Sequence, residues 1–187
     1  YITGHPLDDF YWEAEEFATT APEKIGDLEA KTDVRVAGII TQWRKFFNRK
    51  GDPMASFRLE GLKGSVDTVL YKEATQRFAD NLGDEMPVMV AGSVKFRNDE
   101  PQIVIEEICP LGQAADWYAE KASVHISEAQ VNEKDLWALR GMVPKFSGPV
   151  PLYFCVTLTT GEKVFLDSDS EFNVHPDHRF KHAVEHL

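Results

Sequence analysis

With 187 residues, 43% of them apolar and 27% charged, the chain has the size and composition of one or two folded domains rather than of a disordered or fibrous protein. A formal net charge of −11 argues against indiscriminate binding to polyanions, because the long-range field repels them. No apolar run is long enough to cross a bilayer, and the first residues do not read as a secretory leader.

Cys109 and Cys155 are isolated, with no zinc-type or redox spacing, so a reduced, cytoplasmic setting with no membrane partner is expected. The chain opens at Tyr1 rather than Met and reads as helix to its last residues, which suggests a piece of a longer polypeptide. Charge is unevenly spread. Residues 1–30 hold 8 acids and 1 base, residues 31–112 hold 12 of each, and residues 113–187 hold 11 acids and 7 bases. The middle segment can therefore carry a local basic groove, effective within a Debye length of roughly 8 Å at physiological salt.

In chain order, residues 1–32 read as an acidic helical connector and linker. A turn at Gly4-His5-Pro6 leads to a helix with Phe10, Ala14 and Phe17 at helical spacing, and Pro22 and Gly26 break the segment between that helix and Asp33. From Val34 to about Trp43 the β-branched run "VRVAGIITQW" predicts a strand. The basic stretch after it, through the turn cluster Gly51-Asp52-Pro53, is expected to be a loop. "MASFRLEGL" is a second strand with Met54, Ser56, Arg58 and Glu60 on one face and Ala55, Phe57 and Leu59 on the other. "SVDTVLY" is a third strand, with Val66, Thr68 and Leu70 alternating against Asp67 and Val69. "KEATQRFADNLG" is a helix stopped by Gly83, "MPVMVAGSVKF" a fourth strand, "RNDEP" a hairpin loop and "QIVIEEICPL" a fifth strand. Three strands, a helix and a hairpin over residues 33–112 give the order of an OB-fold, a five-stranded Greek-key barrel. Gly38 and Gly92, inside the first and fourth strands, suit the bends such barrels need.

Residues 113–122 read as a helical linker, and residues 123–187 as a small α+β domain. Its elements are the strand "SVHIS", a helix capped by Asn132 with Leu136, Leu139 and Val143 toward a core, and a hairpin turning at Thr160-Gly161. A short strand "EFNV" and a terminal helix with Pro176 in its first turn complete it. The fold class is mainly β within an α+β chain.

OB-folds bind single strands across strands two and three, between the loop joining strands one and two and the loop joining strands four and five. Both loops are basic here. Arg44, Lys45, Arg49 and Lys50 lie in the first, with Phe46 and Phe47; Lys95 and Arg97 lie in the second, with Phe96. Cations neutralise phosphates and rings stack on bases, so these residues, extended by Arg58 and Lys72, form the candidate nucleic-acid site. The bland alternative is solvated surface, with Trp43 and one phenylalanine plugging the barrel end. His178, His182 and His186 share one helix face, but no zinc pattern accompanies them, and a solvated face is the expectation. "DSDSE", Asp167 to Glu171, lacks the glycine and distal glutamate of a calcium loop and reads as a polar turn. No nucleophile elbow, phosphate loop or catalytic triad is present, so no catalytic residues, metal or cofactor are expected within the chain.

The order of segments resembles the C-terminal region of the catalytic alpha subunit of bacterial DNA polymerase III. "YITGHPLDDF" is similar to the "SGHPL" element that precedes that family's OB domain. "VAGII", "RKFFNRKGDPMA", "FRLEGLKGS" and "VDTVLYKEA" follow in the family's order, as do "VMVAGSVKF" and "IVIEEICPL". "SGPVPLYFCV" and "VHPDHRF" resemble elements of its last domain. The resemblance implies a non-catalytic part of a replicative polymerase, whose barrel contacts single-stranded template weakly and in a salt-dependent way. It also implies that the last domain docks the tau subunit of the clamp loader, and that the rest of the alpha subunit is a partner. The Mg²⁺-binding aspartates of the parent DNA-directed DNA polymerase, a nucleotidyltransferase, would lie outside this chain. Glu60-Gly61 replaces an aspartate frequent in the family's turn, and no clamp-binding peptide is visible. A barrel serving only as a protein-interaction scaffold, or an OB domain of an aminoacyl-tRNA synthetase or helicase, are the alternatives.

Overall fold

A computed structural model describes residues 6–187, so the turn expected at Gly4-His5-Pro6 begins outside the described residues. A short helix, α1 (Tyr11–Phe17), and a 3₁₀ turn, Pro22–Asp27, lead into β1 (Asp33–Phe47). Then come β2 (Pro53–Glu60), β3 (Ser65–Leu70), α2 (Lys72–Phe78), β4 (Pro87–Arg97) and β5 (Glu100–Pro110). The five strands form a closed barrel in the order β1-β2-β3-β5-β4, with β3 and β5 parallel and all other pairs antiparallel. Closure removes the sheet edges, which suits a chain this rich in β-branched residues. Alternation fills the interior: Val36, Ile40, Leu59, Leu70, Val88 and Ile103 are fully buried. Each such side chain contributes about 1.5–3 kcal/mol of burial.

Two glycines let the backbones approach. At Gly92 the β4–β5 register shifts, and a Cβ there would lie 2.0 Å from the Val104 carbonyl oxygen. A Cβ on Gly38 would lie 2.7 Å from Leu59 Cγ. Of residues 1–32, expected to be a connector and linker, the described ones, 6–32, fall in the same unit as the barrel. Ile25, in the 3₁₀ turn, is fully buried in the barrel core, and the Lys31 N–H donates to the Val94 carbonyl at 2.7 Å. The breakers Pro22 and Gly26 thus shape a packed turn instead of a free linker. The helix expected up to Gly83 ends at Phe78 and continues only as a 3₁₀ turn, Ala79–Asn81; Gly83 is not in the left-handed region.

The second unit is Ala115–Leu187. After α3 (Ala114–Tyr118), β6 (Ala122–Ser127) pairs parallel with β8 (Leu152–Thr157), which pairs antiparallel with β9 (Lys163–Asp167). Helix α4 (Glu133–Met142) starts on a reciprocal capping box: Asn132 accepts from the Asp135 N–H, and the Asp135 carboxylate accepts from the Asn132 N–H. β7 (Ser147–Val150) bridges Val174 through Ser147 and Val150. α5 (His178–Glu185) ends the chain.

Three local expectations change here. Leu136 is exposed, because α4 buries the stripe of Leu139 and Met142 instead. "EFNV" is a 3₁₀ turn, Ser170–Phe172, with Val174 alone bridging β7. Pro176 precedes the cap rather than lying in the first turn, and Asp177 caps α5 by accepting from the Phe180 N–H at 2.9 Å.

Candidate nucleic-acid interface

The basic stretch is not a loop. Arg44, Lys45, Phe46 and Phe47 continue β1 and pair with Ser56, Ala55, Met54 and Pro53 of β2, so strand and hairpin project beyond the barrel as one ribbon. The remaining loop is Asn48–Asp52, closed by the Asn48 carboxamide oxygen, which accepts from the Lys50 and Asp52 N–H groups. Gly51 supplies the left-handed residue, at φ 82°.

A β-bulge decides which side chains face where. Thr41 pairs with Arg58, but the next pair is Arg44 with Ser56, so β1 uses one residue more than β2. Gln42 takes the left-handed conformation, φ 56°, and the Trp43 N–H turns to the Asp84 carboxylate at 2.9 Å. The Trp43 ring packs inward on Phe57, 5.8 Å between centroids, as part of the barrel core. Beyond the bulge, Arg44 and Phe46 share the outer face of β2 with Met54, Ser56 and Arg58. Lys45 and Phe47 lie on the opposite face, level with Ala55 and Pro53.

The cations fall into two groups by what they touch. Lys45 Nζ pairs with Asp80 at 2.9 Å, Lys72 Nζ with Asp52 at 3.3 Å, and the Arg58 guanidinium with Asp67 at 3.5 Å. Their charges are compensated within the protein. The hydrogen bond from Lys45 holds the Asp80 carboxyl below the usual carboxylate range, and the hydrogen bonds from Asn48 and then Lys72 do the same for Asp52. In contrast, Arg44 donates to the neutral Ser56 hydroxyl at 2.8 Å, and Lys95 to the neutral Tyr71 hydroxyl at 2.9 Å. Among the described residues Arg49, Lys50 and Arg97 are in no ion pair. Arg49 and Lys50 stand exposed in the Asn48–Asp52 loop. Arg97 stands at the second hairpin, where Asn98 and Asp99 (φ 52° and 64°) form a two-residue turn shorter than the expected loop. Phe47 is 74% exposed, Phe46 39% and Phe96 37%: three rings open to a stacking partner.

The structure thus brings Arg44, Phe46, Arg49, Lys50 and Arg58 together on the β1–β2 ribbon and outer face. Lys45 turns to the other face, while Lys72 serves as a tether between the Asn48–Asp52 loop and α2. The lower part of the outer face is mixed in charge, because Asp67 and Glu60 lie there, the latter accepting from Thr41 Oγ1 at 2.9 Å. Sequence reasoning missed Tyr71. It is 42% exposed and continues the alternation of Asp67 and the buried Val69 past the end of β3, and that alternation was the signal available.

Among the described residues no three His, Cys, Asp or Glu side chains converge to hold a metal. The rings of His182 and His186 stack on each other, centroids 4.0 Å apart, on the exposed face of α5. In the second unit an apolar cavity of about 670 Å³ lies between α4 and the sheet, lined by Val131, Leu136, Leu139, Phe154, Val156 and Leu166. Trp137 and Phe165 are 61% and 70% exposed. No helix among the described residues is long and apolar enough to cross a membrane.

Residues 34–111 match the sequence family described as an OB-fold nucleic acid binding domain. The chain is 24% identical over 155 residues to the DNA polymerase III subunit alpha of Vibrio cholerae, covering 81% of this chain and 13% of that protein. It is 24% identical over 184 residues to the same subunit of Borreliella burgdorferi, covering 95% of this chain and 16% of that protein. The chain therefore spans about a seventh of the length of these relatives. A solved small single-stranded DNA-binding protein from Streptomyces coelicolor is 18% identical with a TM-score of 0.38, covering 43% of this chain and 92% of its own. The barrel is an OB-fold that matches the nucleic-acid-binding family over residues 34–111, set in a chain that is similar through most of its length to the alpha subunit of DNA polymerase III.

Proposed function

We propose that the chain is the C-terminal region of a replicative DNA polymerase's catalytic alpha subunit and that its barrel holds single-stranded template. The observation that carries this reading is the grouping of uncompensated cations, Arg44, Arg49 and Lys50, with the open rings of Phe46 and Phe47 on one projecting ribbon. Cations without an internal acid partner are free to release counterions from phosphates, and exposed rings offer faces to bases of any sequence. Binding is weak and without sequence preference, because few phosphates are neutralised and base edges are not read. The parent is a DNA-directed DNA polymerase of the bacterial cytoplasm, acting at the nucleoid. Its nucleotidyl transfer, with the Mg²⁺ it needs, belongs to residues outside this chain.

The second unit docks a protein, the tau subunit of the clamp loader. Its apolar cavity and the exposed Trp137 and Phe165 support this role, since apolar cavities and exposed aromatic side chains are features of protein-binding surfaces. Titration of a fluorescent oligonucleotide with the chain at two salt concentrations tests the barrel reading. Single strands should bind more tightly than duplex of the same length, and affinity should fall as salt rises; equal or tighter duplex binding refutes it. Immobilised tau should retain the chain, and substituting Trp137 and Phe165 with serine should release it.

A further inference from the structure

We propose that Tyr71 and Lys95 form a one-nucleotide subsite on the outer face of the barrel, the base stacking on the tyrosine ring and the neighbouring phosphate meeting the ammonium. The subsite rests on the single-strand reading and adds a pair of residues remote from the β1–β2 ribbon in sequence. Lys95 Nζ is 2.9 Å from the Tyr71 hydroxyl but 5.4 Å from the ring centroid. The ammonium therefore sits off the hydroxyl end of the ring, near its plane, and leaves the ring faces uncovered. Among the described residues the ring stacks on no other aromatic, and 42% of Tyr71 is exposed.

The backbone that carries the ring is also held in place. Tyr71 is the residue before α2, its carbonyl accepts from the Thr75 N–H at 2.8 Å, and Thr75 Oγ1 donates to the Leu70 carbonyl at 3.0 Å. The next residue, Lys72, is tied to Asp52. A ring fixed on a strand end loses little freedom when a base stacks on it. Lys95 differs from Lys45 and Lys72 in having a neutral partner, so its charge remains available to a phosphate. A cation and a planar face side by side match the two parts of a nucleotide that vary least with sequence.

The test uses the 187-residue chain and a fluorescein-labelled oligothymidylate. Tyr71→Ala should weaken binding by about 10-fold or more, the loss expected from one stacked base, with no change in the salt slope. Tyr71→Phe should stay within about 3-fold of the unaltered chain, because it keeps the ring. Lys95→Met should lower the salt slope by about 0.7, one phosphate on a single strand. An iodouracil-containing oligonucleotide should photocross-link to Tyr71, a readout that does not depend on the alanine variant folding. If the unaltered chain binds single strands while Tyr71→Ala binds equally well, or cross-links map elsewhere, the subsite is wrong and the single-strand reading stands. If the unaltered chain does not prefer single strands over duplex, the reading fails and the subsite with it.

Discussion

Two cations of the hairpin ribbon should differ from a third in what their removal does to DNA binding. Among the described residues Arg49 and Lys50 have no ion pair, whereas Lys45 is engaged by Asp80 at 2.9 Å. On single strands the slope of log affinity against log salt is about −0.7 per neutralised phosphate, so at about 0.1 M salt each contact is worth roughly 5-fold relative to 1 M. Arg49→Ser with Lys50→Ser should therefore lower the slope by about 1.4 and weaken binding by roughly 25-fold. Lys45→Ser with Asp80→Ser deletes a whole exposed pair, leaves the net charge unchanged, and should move the slope by less than about 0.3 and affinity by less than about 3-fold. The assay is fluorescence anisotropy of a labelled oligonucleotide of about 15 bases, within the site size of OB barrels. Measurements from about 50 to 200 mM salt give the slope. A slope change for the Lys45 and Asp80 pair as large as that for Arg49 and Lys50 would show that internal pairing does not decide which cations meet phosphate.

Three further outcomes probe the frame that carries the site. Gly92→Ala sets a Cβ against the Val104 carbonyl and should destabilise the barrel by about 3 kcal/mol or more, measured by urea unfolding; a loss under about 0.5 kcal/mol would mean the β4–β5 bulge tolerates a side chain. Asn132→Ala removes half of the α4 capping box and should cost the second unit about 1 kcal/mol, read from its thermal transition, with DNA binding unchanged. Asp52 and Asp80 have folded-state pKa values below their ordinary 3.8, so their contributions to stability are present above that value and vanish as pH falls through the lowered ones. Carboxyl NMR titration should therefore place both midpoints below 3.8, and Lys45→Ser should return Asp80 toward it; an Asp80 midpoint unmoved by that change would break the assignment of cause.

The barrel was legible because its signals are local. The β-branched run at Val34–Ile40, the alternation of Ala55, Phe57 and Leu59, and the order of strands and helix each follow from steric and burial rules that act over a few residues. The site was legible only as a list. Alternation continued from Thr41 would place Trp43, Lys45 and Phe47 on the outer face. The bulge at Gln42 and Trp43 inserts one residue and reverses the choice, giving that face to Arg44 and Phe46. Nothing in "TQWRKFF" announces the bulge, which depends on Asp84, 41 positions further on, accepting the Trp43 N–H. The same holds for charge. Composition put cations in two loops, but whether each one is spent internally depends on acids brought close by folding: Asp80 for Lys45, Asp52 for Lys72 and Asp67 for Arg58. The Pro22–Asp27 turn, which looked like linker, packs on the barrel because Ile25 finds an apolar pocket no local rule could foresee. Sequence by itself determined the barrel, its order and the chemical character of its candidate residues, because propensity and burial pattern are short-range. Tertiary structure alone decided which rings and cations stand exposed and uncompensated on the outer face, because facing and charge compensation are set by residues distant along the chain.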